Sequence, residues 1–270
     1  MQSQSVAHVR AFIWQYYRQH KRSLSWRTRI SPYRVFISEV MLQQTQVSRI
    51  KEAFPAFLKQ FPTFPSLAAA KPSAVLRAWQ GLGYNRRALY LHRAAQTIVN
   101  DFAGRLPKNI ADLERLPGIG PATARSIAVF AWNRPEIFIE TNIRRVCIHH
   151  FFPRSETVSD QELLPYLKRL IDKKNPREWY YAMMDYGAHL STQVPNPNRR
   201  SKHYTKQSRF QGSDRELRGN ILQLLLEKRS LKELADPHKH DGTMKRLDRI
   251  LQDLEKEGFI KKAGKSYTLV

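Results

Sequence analysis

Cysteine is nearly absent from this chain: Cys147 is the only one in 270 residues. A single thiol excludes an intrachain disulfide and a cysteine-ligated cluster. With no secretion signal in view, it points to a reducing cytosol. In the run RRVCIHHFF that thiol reads as a small buried apolar group rather than a reactive one. No run of apolar residues is long enough for a membrane-spanning helix. The first residues, MQSQSVAHVRAFIWQYYRQHKR, lack the charged, apolar, small-residue order of a signal peptide. Internal repeats and low-complexity tracts are missing, and strand-like alternation is scarce. Acidic residues are in short supply: 23 Asp and Glu face 46 Lys and Arg, a net charge of +23. Such an excess fits a polyanionic partner, because each neutralised phosphate releases condensed counterions. Nucleic acid is favoured over the acidic membrane surfaces that share this bias, but charge alone says nothing about chemistry.

What is present is helical texture. With 41% hydrophobic residues the chain can bury a real core. The opening segment suits an amphipathic helix with Val9, Phe12, Ile13, Tyr16 and Tyr17 on roughly one face. Apolar residues then recur at helical spacing to about residue 190, between short breaks at Pro62, Pro65, Pro72, Gly81, Gly83 and Pro107. From Gln193 the run QVPNPNRRSKHYTKQSRFQGSDR is polar, basic and poor in large aliphatics, which marks a linker or an arm laid along something acidic. Helical texture resumes in RELRGNILQLLLEKR, SLKELAD and TMKRLDRILQDLEKEGFI, and Gly264 separates two β-prone runs that suit a hairpin. Three helices closed by a small hairpin is the plan of a winged-helix domain.

Three segments carry candidate chemistry. Leu116-Pro117-Gly118-Ile119-Gly120 follows the helical stretch NIADLERL and opens into PATARSIAVFAW. Glycines in a tight turn before a helix leave backbone N–H groups pointing outward at a positive helix end, which suits a phosphate oxygen; an ordinary inter-helix turn is the alternative. In SPYRVFISEVMLQQTQVSRI, Glu39 lies among Val35, Phe36, Val40 and Met41. Burial there raises a carboxyl pKa and favours a proton donor at neutral pH; a solvated helix face is the bland alternative. Gln43 and Gln44 follow, with flat amides able to fill the gap left by an extruded base. In FIETNIRR, Glu140 ends an apolar run before a helix bearing Arg144 and Arg145. The alternative is a helix N-cap region that Thr141 fills alone.

Taken with WQGLGY at 79–84 and AMMDYGA at 182–188, these segments resemble the helix–hairpin–helix DNA glycosylase superfamily, and within it the MutY-type adenine glycosylases. The resemblance covers about residues 1–195. It implies an all-α, two-lobed helix–hairpin–helix glycosylase fold, with a six-helix lobe at about 25–132 and a second lobe from 1–24 plus 133–195. A basic linker or arm at 196–212 and a small winged-helix-like α+β domain at 213–270 complete the expected organisation. The resemblance also assigns roles. Glu39 is the acid that protonates the departing base and later manages water, Glu140 stabilises the positive sugar, and Asn142 steadies that sugar's surroundings. Leu116, Gly118, Ile119, Gly120, Ala122 and Thr123 form the phosphate-gripping hairpin, while Gln43 and Gln44 enter the base stack. Arg144, Arg145, Arg199 and Arg200 add DNA contacts. Trp26, Tyr84 and Asp185 are base-pocket or duplex contacts, with core packing open for Trp26.

The chain departs from its relatives in four places. Glu140 stands where the family has aspartate. Ala122 replaces the Schiff-base lysine of bifunctional members, so no lyase activity is expected. The four cluster cysteines align near Ser191, Asn198, Ser201 and Gln207, so neither metal nor cofactor is expected. Asn196, Asn198 and the neighbouring arginines suit a hydrogen-bonded loop instead. The tail also differs from the domain that reads 8-oxoguanine in typical relatives, and either touches DNA or braces the catalytic lobe. The expected function is hydrolysis of the N-glycosidic bond of a flipped adenine opposite guanine or 8-oxoguanine, in base excision repair. The alternatives are excision of mismatched thymine or uracil or of a deaminated or alkylated purine, and a non-catalytic DNA-binding protein. A cytoplasmic monomer acting on double-stranded DNA with a lesion or mismatch is implied, nucleoid-associated in a bacterial cell.

Overall fold

The structure is a computed structural model, and it describes residues 5–206, 209–227, 242–264 and 266–270. Helices dominate: α1 Val6–His20, α2 Pro32–Leu42, α3 Val47–Gln60, α4 Phe64–Ala68 and α5 Pro72–Ala78 come first. Next are α6 Arg86–Asp101, α7 Ile110–Glu114, α8 Pro121–Trp132, α9 Thr141–Phe151, α10 Asp160–Leu170 and α11 Pro176–Gln193. Helices α12 Asp214–Leu226 and α13 Gly242–Lys256 lead to strands β1 Ile260–Ala263 and β2 Ser266–Leu269. This meets the expectation of a helical chain with a small α+β tail. The stretch SLKELAD, read as a further tail helix, lies outside the described residues.

The chain divides into two compact units. The first comprises Met1–Glu39, Lys108–Glu114 and Ile119–Lys206. Ser5 caps α1 by accepting from the His8 N–H, and the helix then buries Val6, Val9, Ile13 and Tyr17. Those positions recur every three or four residues, so they form one stripe. Phe12 and Tyr16 sit beside it rather than in it: Phe12 stays 41% exposed and leans edge-on against Tyr186. The core is built on aromatic layers, with Phe138 stacked on Tyr180 at 4.3 Å and Phe130 on Tyr181 at 4.8 Å. Cys147 is buried in the same core, where burial pushes its thiol pKa up and keeps it protonated and unreactive.

Where the resemblance aligns cluster cysteines, the first unit holds a hydrogen-bonded loop. Asn196 accepts from the Asn198 N–H at 3.1 Å, and the buried Asn198 amide donates to Thr141 O at 3.0 Å. Arg200 donates to the carbonyls of Phe152 and Ser155, and Val158 pairs with Ser201 in an isolated parallel bridge. Ser191 bonds its own helix at Ala188 O, and Gln207 lies outside the described residues. Hydroxyls and amides of this kind do not hold iron as thiolates do. Among the described residues no three His, Cys, Asp or Glu side chains gather as a metal site. The residues present therefore do not fit an iron–sulfur cluster.

The second unit comprises Val40–Pro107, Arg115–Gly118 and Gln207–Val270. Its α6 buries Arg87, Ala88, Leu89, Leu91, Ala94, Ala95 and Ile98. Arg87 is 8% exposed and donates to Val40 O, Met41 O, Leu82 O, Gly83 O and Thr45 Oγ1 at 2.8–3.1 Å. Two acceptors from the end of α2, Thr45 just beyond it and two from the 82–83 turn surround this cation, and burial lowers its pKa to about 10. The tail belongs to the same unit. Glu257 accepts from Arg86 and Arg218, Arg77 donates to Leu226 O at 2.9 Å, and Arg215 donates to the Tyr84 hydroxyl at 2.9 Å. Strands β1 and β2 pair antiparallel from Ile260↔Leu269 to Ala263↔Ser266, and Gly264 takes φ +62° at the turn. The hairpin read from sequence is therefore present.

Candidate active site

Glu39 is carried by α2, which opens on Pro32, a residue suited to the first helical turn. Val35, Phe36, Ile37, Ser38, Val40 and Met41 around it are buried, while Glu39 keeps a partly exposed edge. The Ser126 hydroxyl of α8 donates to Glu39 Oε2 at 2.6 Å. Burial pushes the carboxyl pKa up to about 7; the Ser126 bond and Arg27 oppose that rise, and repulsion from Glu140 adds to it. A carboxyl with this pKa is about half protonated at neutral pH, the condition under which one group can give and then take a proton. The solvated-face alternative does not describe this residue.

Glu140 precedes α9 and caps it with its own side chain. Oε1 accepts from Asn142 N at 2.8 Å and from Ile143 N at 2.9 Å, and Oε2 accepts from Asn142 Nδ2 at 3.2 Å. Thr141, expected as the cap in the alternative reading, is exposed and already helical. The longer glutamate chain curls back over the helix end, a position that aspartate reaches directly. The Glu140 pKa lies above its ordinary value: burial raises it, and the two backbone N–H groups, Arg145 and Arg144 offset only part of that rise. Asn142 is held in turn: Arg145 donates to its Oδ1 at 2.8 Å and to Gly187 O at 2.6 Å. A Cβ at Gly187 would lie 2.6 Å from Asn142 O, so α11 touches α9 backbone to backbone at this point.

Three of the arginines expected to contact DNA have partners within the protein. Arg145 is 8% exposed and engaged inside the first unit, and Arg144 forms a two-pronged pair with Asp160 at 2.7 Å on each arm. Arg200 is likewise turned inward onto backbone carbonyls, whereas Arg199 is exposed. Asp185 is also differently engaged. Its carboxylate accepts from Arg27 at 2.9 Å twice, from Arg22 Nε at 2.6 Å and from Arg22 N at 3.0 Å. Arg27 lies 4.3 Å over the Tyr181 ring, and Trp26 beside it is buried, as core packing requires.

In the expected hairpin, Leu116 and Ile119 are buried, while Gly118, Gly120 and Ala122 are exposed and Thr123 is partly so. Gly120 caps α8 without a side-chain hydrogen bond, so no side chain competes for the first-turn N–H groups there. Gly118 takes φ +79°, and a Cβ there would meet Tyr90 at 2.9 Å, so any side chain there is strained and forces Tyr90 to shift. The Gln43 amide donates to Gly118 O at 3.3 Å. Gln44 at φ +53° and Tyr84 at φ +48° hold left-handed backbone conformations that non-glycine residues rarely take. Strain of this kind concentrates at functional positions.

Sequence reasoning missed Ser126, Gly187, Arg22 and Arg27. The signal for Ser126 was a lone hydroxyl within the apolar run SIAVFAW; the others depend on tertiary neighbours. No described helix is long and apolar enough to cross a membrane.

Comparison with known proteins agrees with this geometry. A family model described as HhH-GPD superfamily base excision DNA repair protein matches residues 37–173. The chain is 31% identical over 274 residues to the adenine DNA glycosylase of Mycolicibacterium smegmatis, covering 92% of each chain. It is 32% identical over 236 residues to the Mycobacterium tuberculosis adenine DNA glycosylase, covering 78% of this chain and 76% of that one. In fold it is similar to a thermostable thymine-DNA glycosylase, with a TM-score of 0.60 and 21% identity over 68% of this chain and 86% of that one. The chain belongs to the HhH-GPD superfamily of base excision DNA repair proteins, among the adenine DNA glycosylases of MutY type.

Proposed function

We propose that this protein is a monofunctional DNA glycosylase that hydrolyses the N-glycosidic bond of an extruded adenine mispaired with guanine or 8-oxoguanine. The observation that carries the reading is Glu39, a carboxyl with a pKa near 7 that feels the charge of Glu140 in the same unit. Breaking the bond puts negative charge on the base and positive charge on the sugar. Protonated Glu39 answers the first and ionised Glu140 the second, a division of labour between two carboxyls of different environment. Asn142 holds Glu140 in place, and Glu39, once ionised, takes a proton from the attacking water. Base extrusion costs a few kcal/mol and least at a mismatch, which contributes selectivity.

The remaining roles follow from placement. The N–H groups from Leu116 to Thr123 grip a phosphate, Gln43 and Gln44 fill the vacated stack, and Tyr84 contacts the duplex. Trp26 and Asp185 act at one remove, Asp185 by fixing Arg27 near Glu39. Arg199 and the exposed basic residues after it supply sequence-independent affinity. With alanine at 122 there is no amine to form a Schiff base, so the abasic strand stays intact until alkali is added. The glycosylase domain is read as 1–195, the arm as 196–212 and the winged-helix-like domain as 213–270.

Duplexes carrying adenine opposite guanine or 8-oxoguanine, treated with protein and then alkali, test this. A cut strand is expected; intact strands on both substrates overturn the adenine assignment. Glu140 in place of aspartate, together with the unusual tail, favours one second reading, a different excised base in the same site. A panel of thymine, uracil and modified-purine mismatches distinguishes it. Full activity in Glu39→Gln and Glu140→Gln proteins would instead favour a DNA-binding protein without catalysis.

A further inference from the structure

We propose that Ser126 is a positioning residue: its hydroxyl fixes which oxygen of Glu39 hands over the proton, and it tightens its hold as that proton leaves. The inference rests on the role of Glu39 given above and adds a residue to it. Ser126 is 4% exposed on the inner face of α8, flanked by buried Ala124, Ile127, Ala128, Val129 and Phe130. A buried helical serine is fully satisfied by the carbonyl three residues back, here Thr123 O at 3.0 Å. This one has a second partner that burial alone does not require, Glu39 Oε2 at 2.6 Å, 87 residues earlier in the chain.

The hydroxyl has one proton and two acceptors within reach, so it can be satisfied in either protonation state of Glu39. When it donates to Oε2, that oxygen is the carbonyl oxygen of the neutral acid, and the transferable proton sits on Oε1. As the glycosidic C–N bond breaks, its electron pair stays with the base and the proton moves from Oε1 to a base nitrogen. Glu39 then becomes a carboxylate, and the Ser126 bond changes from neutral to charge-assisted, about twice as strong. The bond therefore strengthens while the barrier is crossed, which is the condition for an interaction to raise rate. Three ionisable neighbours face the same carboxyl: Arg27 from the Ser25–Arg27 turn, Glu140 from the start of α9 and Tyr181 from α11. These three act on Glu39 through charge, whereas Ser126 meets it in a hydrogen bond, a contact with directional control.

The test compares wild type, Ser126→Ala, Ser126→Thr and Glu39→Gln in single-turnover adenine excision from about pH 5 to 9, with duplex affinity and melting temperature alongside. In Ser126→Ala the plateau rate should fall about tenfold or more, and the high-pH limb should move up by about one unit, because the carboxylate loses its donor. Duplex affinity should stay unchanged, and threonine, which keeps the hydroxyl, should restore both the rate and the limb. A wild-type profile in Ser126→Ala overturns the inference, as does equal impairment of alanine and threonine variants with an unshifted limb. Excision by Glu39→Gln at the wild-type rate overturns the functional reading itself; inactivity of Glu39→Gln beside a wild-type Ser126→Ala profile removes this inference alone.

Discussion

Glu39 holds its proton at a pH where an exposed glutamate has lost it, and this has a consequence for stability. Its folded pKa of about 7 lies above the ordinary 4.5. A carboxyl raised in this way stabilises the native state fully below its unfolded pKa. That contribution is lost as pH rises through the folded value, because the native state must then bury a charge. Replacing Glu39 by Gln should therefore stabilise the native state at about pH 8 more than at about pH 5, by up to about 3 kcal/mol. Calorimetry at the two pH values checks this, and equal effects at both would show that the carboxyl is not strained by burial. Glu140 predicts differently. Aspartate is the better helix cap, so Glu140→Asp should leave stability within about 0.5 kcal/mol of wild type and excision within about tenfold. Glu140→Gln keeps the shape, loses the charge and should lose excision. A collapse of stability in Glu140→Asp would mean that the curled glutamate conformation is itself needed.

At the scale of helices, the close approach of α9 and α11 locates the second carboxyl. Gly187 has no side chain because Asn142 O occupies the space. Gly187→Ala should destabilise the first unit by about 2 kcal/mol through overpacking. It should slow single-turnover excision by about a hundredfold through displacement of Glu140 and Asn142. Denaturant titration and rate measurement on the same protein test it, and an unaffected rate would detach that contact from catalysis. These helices also show what the chain announces and what it conceals. Helix α2 was legible because one carboxylate stood in an apolar run, and the α7–α8 turn because Gly118 and Gly120 stand where a sharp reversal is needed. Helix α1 was partly legible: its buried stripe follows Val9, Ile13 and Tyr17, and Phe12 shows that neighbouring apolar residues need not join it. The internal engagement of Arg145 was not legible, because its partner, Gly187 O, is 42 residues away. Ser126 stood out as a lone hydroxyl in an apolar run, but its partner Glu39, 87 residues earlier, did not. Periodicity reports a local face; it cannot report what meets that face.

Over the whole molecule, the +23 charge is not spread evenly between structural and exposed roles. Arg22, Arg27, Arg144 and Arg218 pair with carboxylates, and Arg87 and Arg145 bond to carbonyl or amide oxygens inside their units. Arg199, Lys202, Lys206 and Arg209 are exposed along the arm. Duplex affinity should thus fall steeply with salt, about a thousandfold between ~50 and ~200 mM for ~6 phosphate contacts. Arg199→Ala should lower the slope of log K against log salt by about one, with stability unchanged. Arg145→Ala should instead weaken folding. Anisotropy titrations over a salt series read the first effect and thermal unfolding the second; an unchanged slope for Arg199→Ala would take the arm off the DNA.

The loop around Asn196 and Asn198 bears on where such a protein can operate. It is closed by amides, a guanidinium and main-chain carbonyls, and the chain's single sulfhydryl is sealed among aliphatic and aromatic neighbours. A chelator finds nothing to strip from that loop, and its assembly draws on no supply of inorganic sulfide. Cells starved of iron, or flooded with peroxide, should therefore keep this protein folded, during the kind of stress that oxidises guanine.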